Sequence, residues 1–147
     1  MKLSTRTRYG TRALLELALH KAQGPVFLKD IARRQQISLP YLEHLVAPLI
    51  AGGIIRSTKG PHGGISLAKR PEEIKLSEIT QLLEGSLAPV ECVDDPATCR
   101  RSAACATRDV WSRLKEAMDG VLESTTLADL ADDQKKKGKI ETSMYYI

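Results

Sequence analysis

Three cysteines, Cys92, Cys99 and Cys105, are the side chains of this 147-residue chain most able to do chemistry. They stand as C-x6-C-x5-C in the segment VECVDDPATCRRSAAC, which holds Pro96, several charges and little to bury. Cysteines in such a segment are seldom packing residues, whereas thiolates converging from it can hold a soft metal centre. Arg100, Arg101 and Arg108 lie close by in sequence. Their charge favours deprotonated thiols and offsets the negative charge of an iron-sulfur cluster. A cluster is therefore the leading expectation. Zinc is disfavoured because the close C-x2-4-C pair of most zinc sites is absent, and redox-active or inert thiols stay open as alternatives. An odd cysteine number in a chain without an apolar leader argues against a disulfide framework.

The elements around this segment must position it, and charge separates them. Residues 1–70 hold twelve Lys/Arg against three Asp/Glu, a surplus of nine positive charges, whereas residues 71–147 hold ten against fifteen. A polyanion-binding surface is expected in the first half. The MKLSTRTRYG start has no apolar h-region, and no stretch approaches the roughly 20 apolar residues of a membrane span. The expected location is the cytoplasm, with no membrane partner.

Apolar residues at Tyr9, Ala13, Leu14, Leu17 and Ala18 predict a first helix of about four turns, stopped near Gly24 and Pro25. Residues 28–36 predict a short second helix. Ser38 is placed to cap a third, with Pro40 in its first turn, so the pair reads as a helix-turn-helix. The third helix turns Leu42, Leu45, Val46, Leu49 and Ile50 to one face and Tyr41, Glu43, His44 and Ala47 to the other, and Pro48 predicts a kink. Two strands, at Ile54 to Ser57 and Ile65 to Leu67, flank Lys59-Gly60-Pro61-His62-Gly63-Gly64. This is a β-hairpin wing whose tip can press against a phosphate backbone or enter a minor groove.

Ser77 is expected to cap a short helix ending at Gly85, followed by a loop to Ala104 that carries the cysteines. From Ala106 a long helix presents Val110, Trp111, Leu114, Ala117, Met118, Val121 and Leu122 as a stripe. So wide a stripe on a projecting helix calls for the same helix of a second copy, hence a homodimer. A last short helix over residues 127–134 and a mobile tail complete the chain. The fold class is mainly α: a winged helix-turn-helix domain (1–85), a cysteine loop (86–105), a dimerisation helix with its short successor (106–134) and a flexible tail (135–147).

In this order the parts resemble the IscR/NsrR-type family of bacterial winged helix-turn-helix iron-sulfur transcription regulators. The resemblance runs from Met1 to about Asp133, through MKLSTRTRYGTRALLELA, ISLPYLEHLVAPL, KGPHGGISL and ECVDDPATCRRSAAC. It implies that Cys92, Cys99 and Cys105 each bind iron, in a [2Fe-2S] cluster ahead of a [4Fe-4S] one. The fourth ligand departs from the family. Arg108 stands where IscR-type members carry a histidine, and Arg6-Thr7-Arg8 stands where NsrR-type members carry an aspartate. The remaining candidates are Glu43, His44, His20, Glu16 and Glu91, and Glu43 is favoured because a carboxylate in a basic DNA-reading helix repels phosphates. Its alternative role is to accept from a cytosine amine.

The resemblance also implies double-stranded DNA as partner. Tyr41, Glu43 and His44 face the major groove, and Lys59, Gly60, Pro61, His62 and Gly63 face the minor groove. Arg8, Arg33 and Arg56, with Arg6 and Arg34, meet phosphates, on a roughly palindromic operator. An enzyme is not expected, since the chain has no nucleophile elbow, phosphate loop or HExxH pair, and its histidines at 20, 44 and 62 lack ligand spacing.

Overall fold

A computed structural model describes residues 2–145, with side chains through residue 139. Seven helices and one hairpin follow in the order α1 (Thr5–Leu19), α2 (Leu28–Gln35), α3 (Leu39–Ala51), β1 (Ile55–Thr58), β2 (Gly64–Leu67), α4 (Leu76–Leu83), α5 (Glu91–Asp94), α6 (Ala106–Ser124) and α7 (Leu127–Tyr145). Four 3-10 turns, at Lys21–Gln23, Pro71–Glu73, Pro96–Thr98 and Ser102–Ala104, lie between them.

The apolar faces of α1, α2 and α3 converge with α4 and the hairpin on one core. Leu14, Ile31, Leu42, Leu45, Leu49, Ile54, Ile65, Ile74 and Ile79 are among its fully buried side chains. Ser38 caps α3 as expected, its hydroxyl accepting from the Tyr41 amide at 3.4 Å, and α3 runs on through Pro48 to Ala51. Between α2 and α3 the chain reverses at Gln36, whose φ of 55° makes it the one non-glycine residue in the left-handed region among the described residues. The strands pair antiparallel, Ile55 opposite Leu67 and Thr58 opposite Gly64, and Val26 joins as a third short partner through two backbone hydrogen bonds with Ile65.

Two expectations about boundaries change. Ser77 does not cap α4: Lys75 precedes the helix without a side-chain cap, and Ser77 lies inside it, donating to Glu123 of α6 at 2.6 Å. The last helix does not stop near Gln134 but continues to Tyr145. The lysines at 135, 136, 137 and 139 are good helix formers despite their lost apolar period, and Gly138 does not break the helix. Residues 146 and 147 of the expected tail lie outside the described residues.

The start of α7 is part of the core. Leu127 is fully buried and Ala131 nearly so. The Thr126 hydroxyl accepts from the Asp129 amide while the Asp129 carboxylate accepts from the Thr126 amide, a reciprocal cap. Backbone bonds from Leu76 to Thr125 and from Leu127 to Ile74 stitch this junction to the entry of α4. The long helix α6 is therefore fixed to the core of α1 to α4 at its C-terminal end, yet none of its own residues is buried. Val110, Trp111 and Val121 remain exposed, Val121 by 64%.

Candidate nucleic-acid interface and cysteine segment

Helix α3 offers two faces, and its outer one matches the sequence expectation. Leu42, Leu45, Val46 and Leu49 are buried, while Glu43, His44 and Ala47 are exposed and Tyr41 is half-buried. The Tyr41 ring meets Tyr9 of α1 edge-on, with centroids 6.3 Å apart and planes at 85°, the geometry aromatic pairs favour. Arg8, Arg33 and Arg56 are exposed, as are Lys59, Gly60, Pro61 and His62 of the wing. Among the described residues Arg33 makes one weak contact, 3.4 Å to Asp30, of a kind that adds little at an exposed site. Arg34 is different: its Nη1 donates to Glu16 Oε1 at 3.0 Å, in a network the sequence did not reveal.

The wing glycines divide by role. Gly60, at φ 105°, has open space where a Cβ would be. Gly63 is buried in the turn, and a Cβ there would lie 2.2 Å from the Thr58 carbonyl oxygen. Gly64, at φ 138°, would bring a Cβ within 2.4 Å of the Val26 carbonyl oxygen. Both positions exclude any side chain for the sake of the hairpin itself. Gly63 therefore lies within the wing turn rather than on its open edge, and Gly60 to His62 form the exposed tip.

The cysteine segment is more ordered than the expected loop. Its helical turns are closed by Asp95, whose carboxylate accepts from the Ala97 amide at 3.0 Å, and by Ser102, whose hydroxyl donates to the Pro96 carbonyl at 2.7 Å. Cys92, Cys99 and Cys105 are all free and partly exposed. Cys105 is the residue that precedes α6, within 3.2 Å of the Thr107 hydroxyl. Hydrogen bonds from Thr107 and from the Arg108 and Thr107 amides hold its thiol below the ordinary cysteine value, the effect of donors gathered at a helix N-terminus. Arg108 joins segment and helix, its Nε donating to the Cys92 carbonyl at 2.8 Å.

Of the fourth-ligand candidates, Glu43 and His44 stand on the open face of α3, and Glu91 is exposed in the first turn of α5. Glu16 is nearly buried and occupied by Arg34, Gln35 and His20. Among the described residues no three His, Cys, Asp or Glu side chains are gathered as a metal-holding group, so the chain alone does not bring Glu43 together with the cysteines. The donor chemistry nevertheless suits a soft metal centre: three reduced thiols on one short segment, one of them acidified, with guanidinium charge beside them. No helix among the described residues is long and apolar enough to cross a membrane.

Comparison with known proteins gives these features a family. Residues 3–133 match the family model described as Rrf2, iron-dependent transcriptional regulator. Protein rrf2 of Nitratidesulfovibrio vulgaris is 48% identical over 133 residues, 90% of this chain and 89% of that protein. The HTH-type transcriptional regulator CymR of Bacillus subtilis is 40% identical over 147 residues, the whole of both chains. Its solved structure, described as that of a global cysteine regulator, superposes with a TM-score of 0.77 over 90% of this chain and 97% of that one. IscR of T. potens, also solved, is 39% identical with a TM-score of 0.78, covering 93% of this chain and 90% of its own. The expected winged-helix architecture is thus that of its structural relatives, and the chain belongs to the Rrf2 family of DNA-binding transcription regulators, which are not enzymes.

Proposed function

We propose that this regulator is a cytoplasmic homodimer that reads a roughly palindromic operator with α3 and the wing, and that Cys92, Cys99 and Cys105 hold an iron-sulfur cluster, [2Fe-2S] ahead of [4Fe-4S]. The observation that carries the reading is Cys105. Its thiol sits at the start of α6 among donors that favour the thiolate, on the segment that also holds the other two cysteines. The bound cluster would supply a group whose gain, loss or oxidation reports iron, oxygen, nitric oxide or redox state. The chain's own residues do the rest. Arg108 ties the segment to α6, and α6 is tied to α4 through Lys75, Ser77 and Glu123, so a change of the segment has a continuous path to the DNA-binding domain.

The exposed stripe of α6 supports the dimer, since Val110, Trp111 and Val121 lack cover within one chain. On DNA, Tyr41, Glu43 and His44 meet base edges in the major groove. Lys59 and the exposed tip Gly60 to His62 approach the minor groove, and Arg8, Arg33 and Arg56 meet phosphates. Glu43 is the proposed fourth ligand, which would make cluster and operator compete for one carboxylate. Anaerobic purification followed by iron and sulfide analysis and a visible spectrum tests the cluster. A colourless, iron-free protein with intact thiols would overturn it. Comparing the spectrum of Glu43→Ala with that of the wild type tests the ligand, and an unchanged spectrum would remove it.

A second reading, a cluster-free regulator with redox-active or inert cysteines, is favoured by the full-length likeness to CymR and by the ungathered donors. The same spectrum separates the two.

A further inference from the structure

The DNA-reading helix is braced from behind by a chain of polar contacts that starts at a nearly buried carboxylate. Glu16 of α1 accepts from Gln35 Nε2 at one oxygen and from Arg34 Nη1 at the other, each at 3.0 Å. Gln35 in turn accepts twice from Arg12: its side-chain oxygen from Nε and its backbone carbonyl from Nη2, both at 3.0 Å. The same guanidinium lies 5.3 Å from the centre of the Tyr9 ring, and Tyr9 is the ring that abuts Tyr41.

These contacts meet at the one place that decides where α3 points. Gln35 is the last residue of α2, its carbonyl has no partner further along the helix, and Gln36 after it holds the strained left-handed conformation. An arginine that bonds that carbonyl caps α2 and holds the turn in place. Through Tyr9 the same arginine supports the first turn of α3, where Tyr41 stands. We infer that Arg12 and Gln35, with Glu16 behind them, are positioning residues for operator recognition: they touch no base but fix the angle between α2 and α3. The inference rests on α3 being the DNA-reading helix.

The direct alternative for Arg12 is a phosphate contact, and salt separates the two roles. A lost phosphate contact lowers the slope of log affinity against log salt by about one and weakens all DNA alike. A lost brace leaves the slope unchanged and weakens the specific site. The probes are a duplex selected from a random library by the wild-type protein, its single-base variants, and a scrambled duplex of equal length.

Arg12→Met and Gln35→Met are expected each to lose about tenfold in affinity for the selected duplex. Their affinity for the scrambled duplex and their salt slope should be unchanged, and the double variant should be no worse than the poorer single, as for members of one network. Tyr9→Phe, which keeps the ring, should bind as the wild type does, whereas Tyr9→Leu should follow Arg12→Met. Additive losses, a salt slope lower by about one in Arg12→Met, or wild-type binding by Gln35→Met would each overturn the brace. His44→Ala is the control on the underlying reading. A changed base preference there with no effect of Gln35→Met removes the brace alone, whereas an unchanged preference removes α3 as the reading helix and the brace with it. Should Arg12→Met unfold, Arg12→Lys keeps the charge without spanning both Gln35 acceptors, and it is expected to show the same specific loss.

Discussion

Arg108, in the first turn of α6, donates its Nε hydrogen to the backbone carbonyl of Cys92, 2.8 Å away, and so closes residues 92–108 into one loop. Arg108 is thus a structural clamp. It cannot ligate iron, because a guanidinium keeps its proton and offers no lone pair, but it organises the segment that carries the thiols. Arg108→Ala should leave α1 to α4 intact and raise amide exchange across residues 91–105 severalfold, a local loosening read by hydrogen-exchange mass spectrometry. Unchanged protection there would show that the clamp is redundant.

Cys105 should react as an acidified thiol. In the cluster-free protein, the pH profile of its alkylation by iodoacetamide should inflect below the ordinary thiol value, and Thr107→Val, which removes the leading hydrogen bond, should move the inflection up. Peptide mapping after timed alkylation gives the profile. An inflection unaffected by Thr107→Val would mean that the backbone amides alone set it.

Glu84 locks the start of α1 to the end of α4. Its carboxylate accepts from the Ser4 amide, from the Ser4 hydroxyl at 2.6 Å and from the Thr7 hydroxyl at 2.5 Å, and these donors hold its pKa below the usual carboxylate range. A depressed folded pKa gives stability that is present above the unfolded value and lost as pH falls through the folded one. Glu84→Ala is expected to cost about 2 kcal/mol at neutral pH. The gap from wild type should narrow once pH drops below about 4, where the unfolded carboxyl protonates. Denaturant unfolding at several pH values measures it, and a pH-independent gap would contradict the assignment.

Three positions give sharper stability tests. Leu127→Ala removes a fully buried side chain where α7 enters the core and should cost about 3 kcal/mol. Gly64→Ala combines a positive φ with a Cβ 2.4 Å from a backbone carbonyl, so the hairpin must shift. Gly60→Ala, with open space around it, meets only the cost of its φ and should be the milder change. Thermal melts of the three variants should rank in that sense, and equal losses at Gly60 and Gly64 would contradict the division of the wing glycines.

Much of this was legible in the sequence because it rests on short-range rules. The apolar period of α1 and α3, the Ser38 cap and the glycine-rich wing all announce themselves within a few residues. What was not legible is contact at long range. Ser77 reads as a helix cap until Glu123, 46 residues away, takes its hydroxyl. Arg34 reads as a phosphate contact until Glu16 of α1 is found beside it. Gly63 reads as a loop-tip glycine until the Thr58 carbonyl is seen against it. The helix through the lysines after Gln134 leaves no such mark, because an exposed helix carries no apolar period.

A cluster held by the three thiols would change operator reading by its presence. The most direct test is one titration of a selected operator duplex, under anaerobic conditions, by iron-loaded and iron-free wild-type protein and by Cys92→Ala, Cys99→Ala and Cys105→Ala. Iron and sulfide are expected in the wild type and in none of the variants, with the loaded protein differing from all the others in affinity or base preference. Identical binding curves for loaded and iron-free protein, or iron retained after loss of any one cysteine, would contradict it.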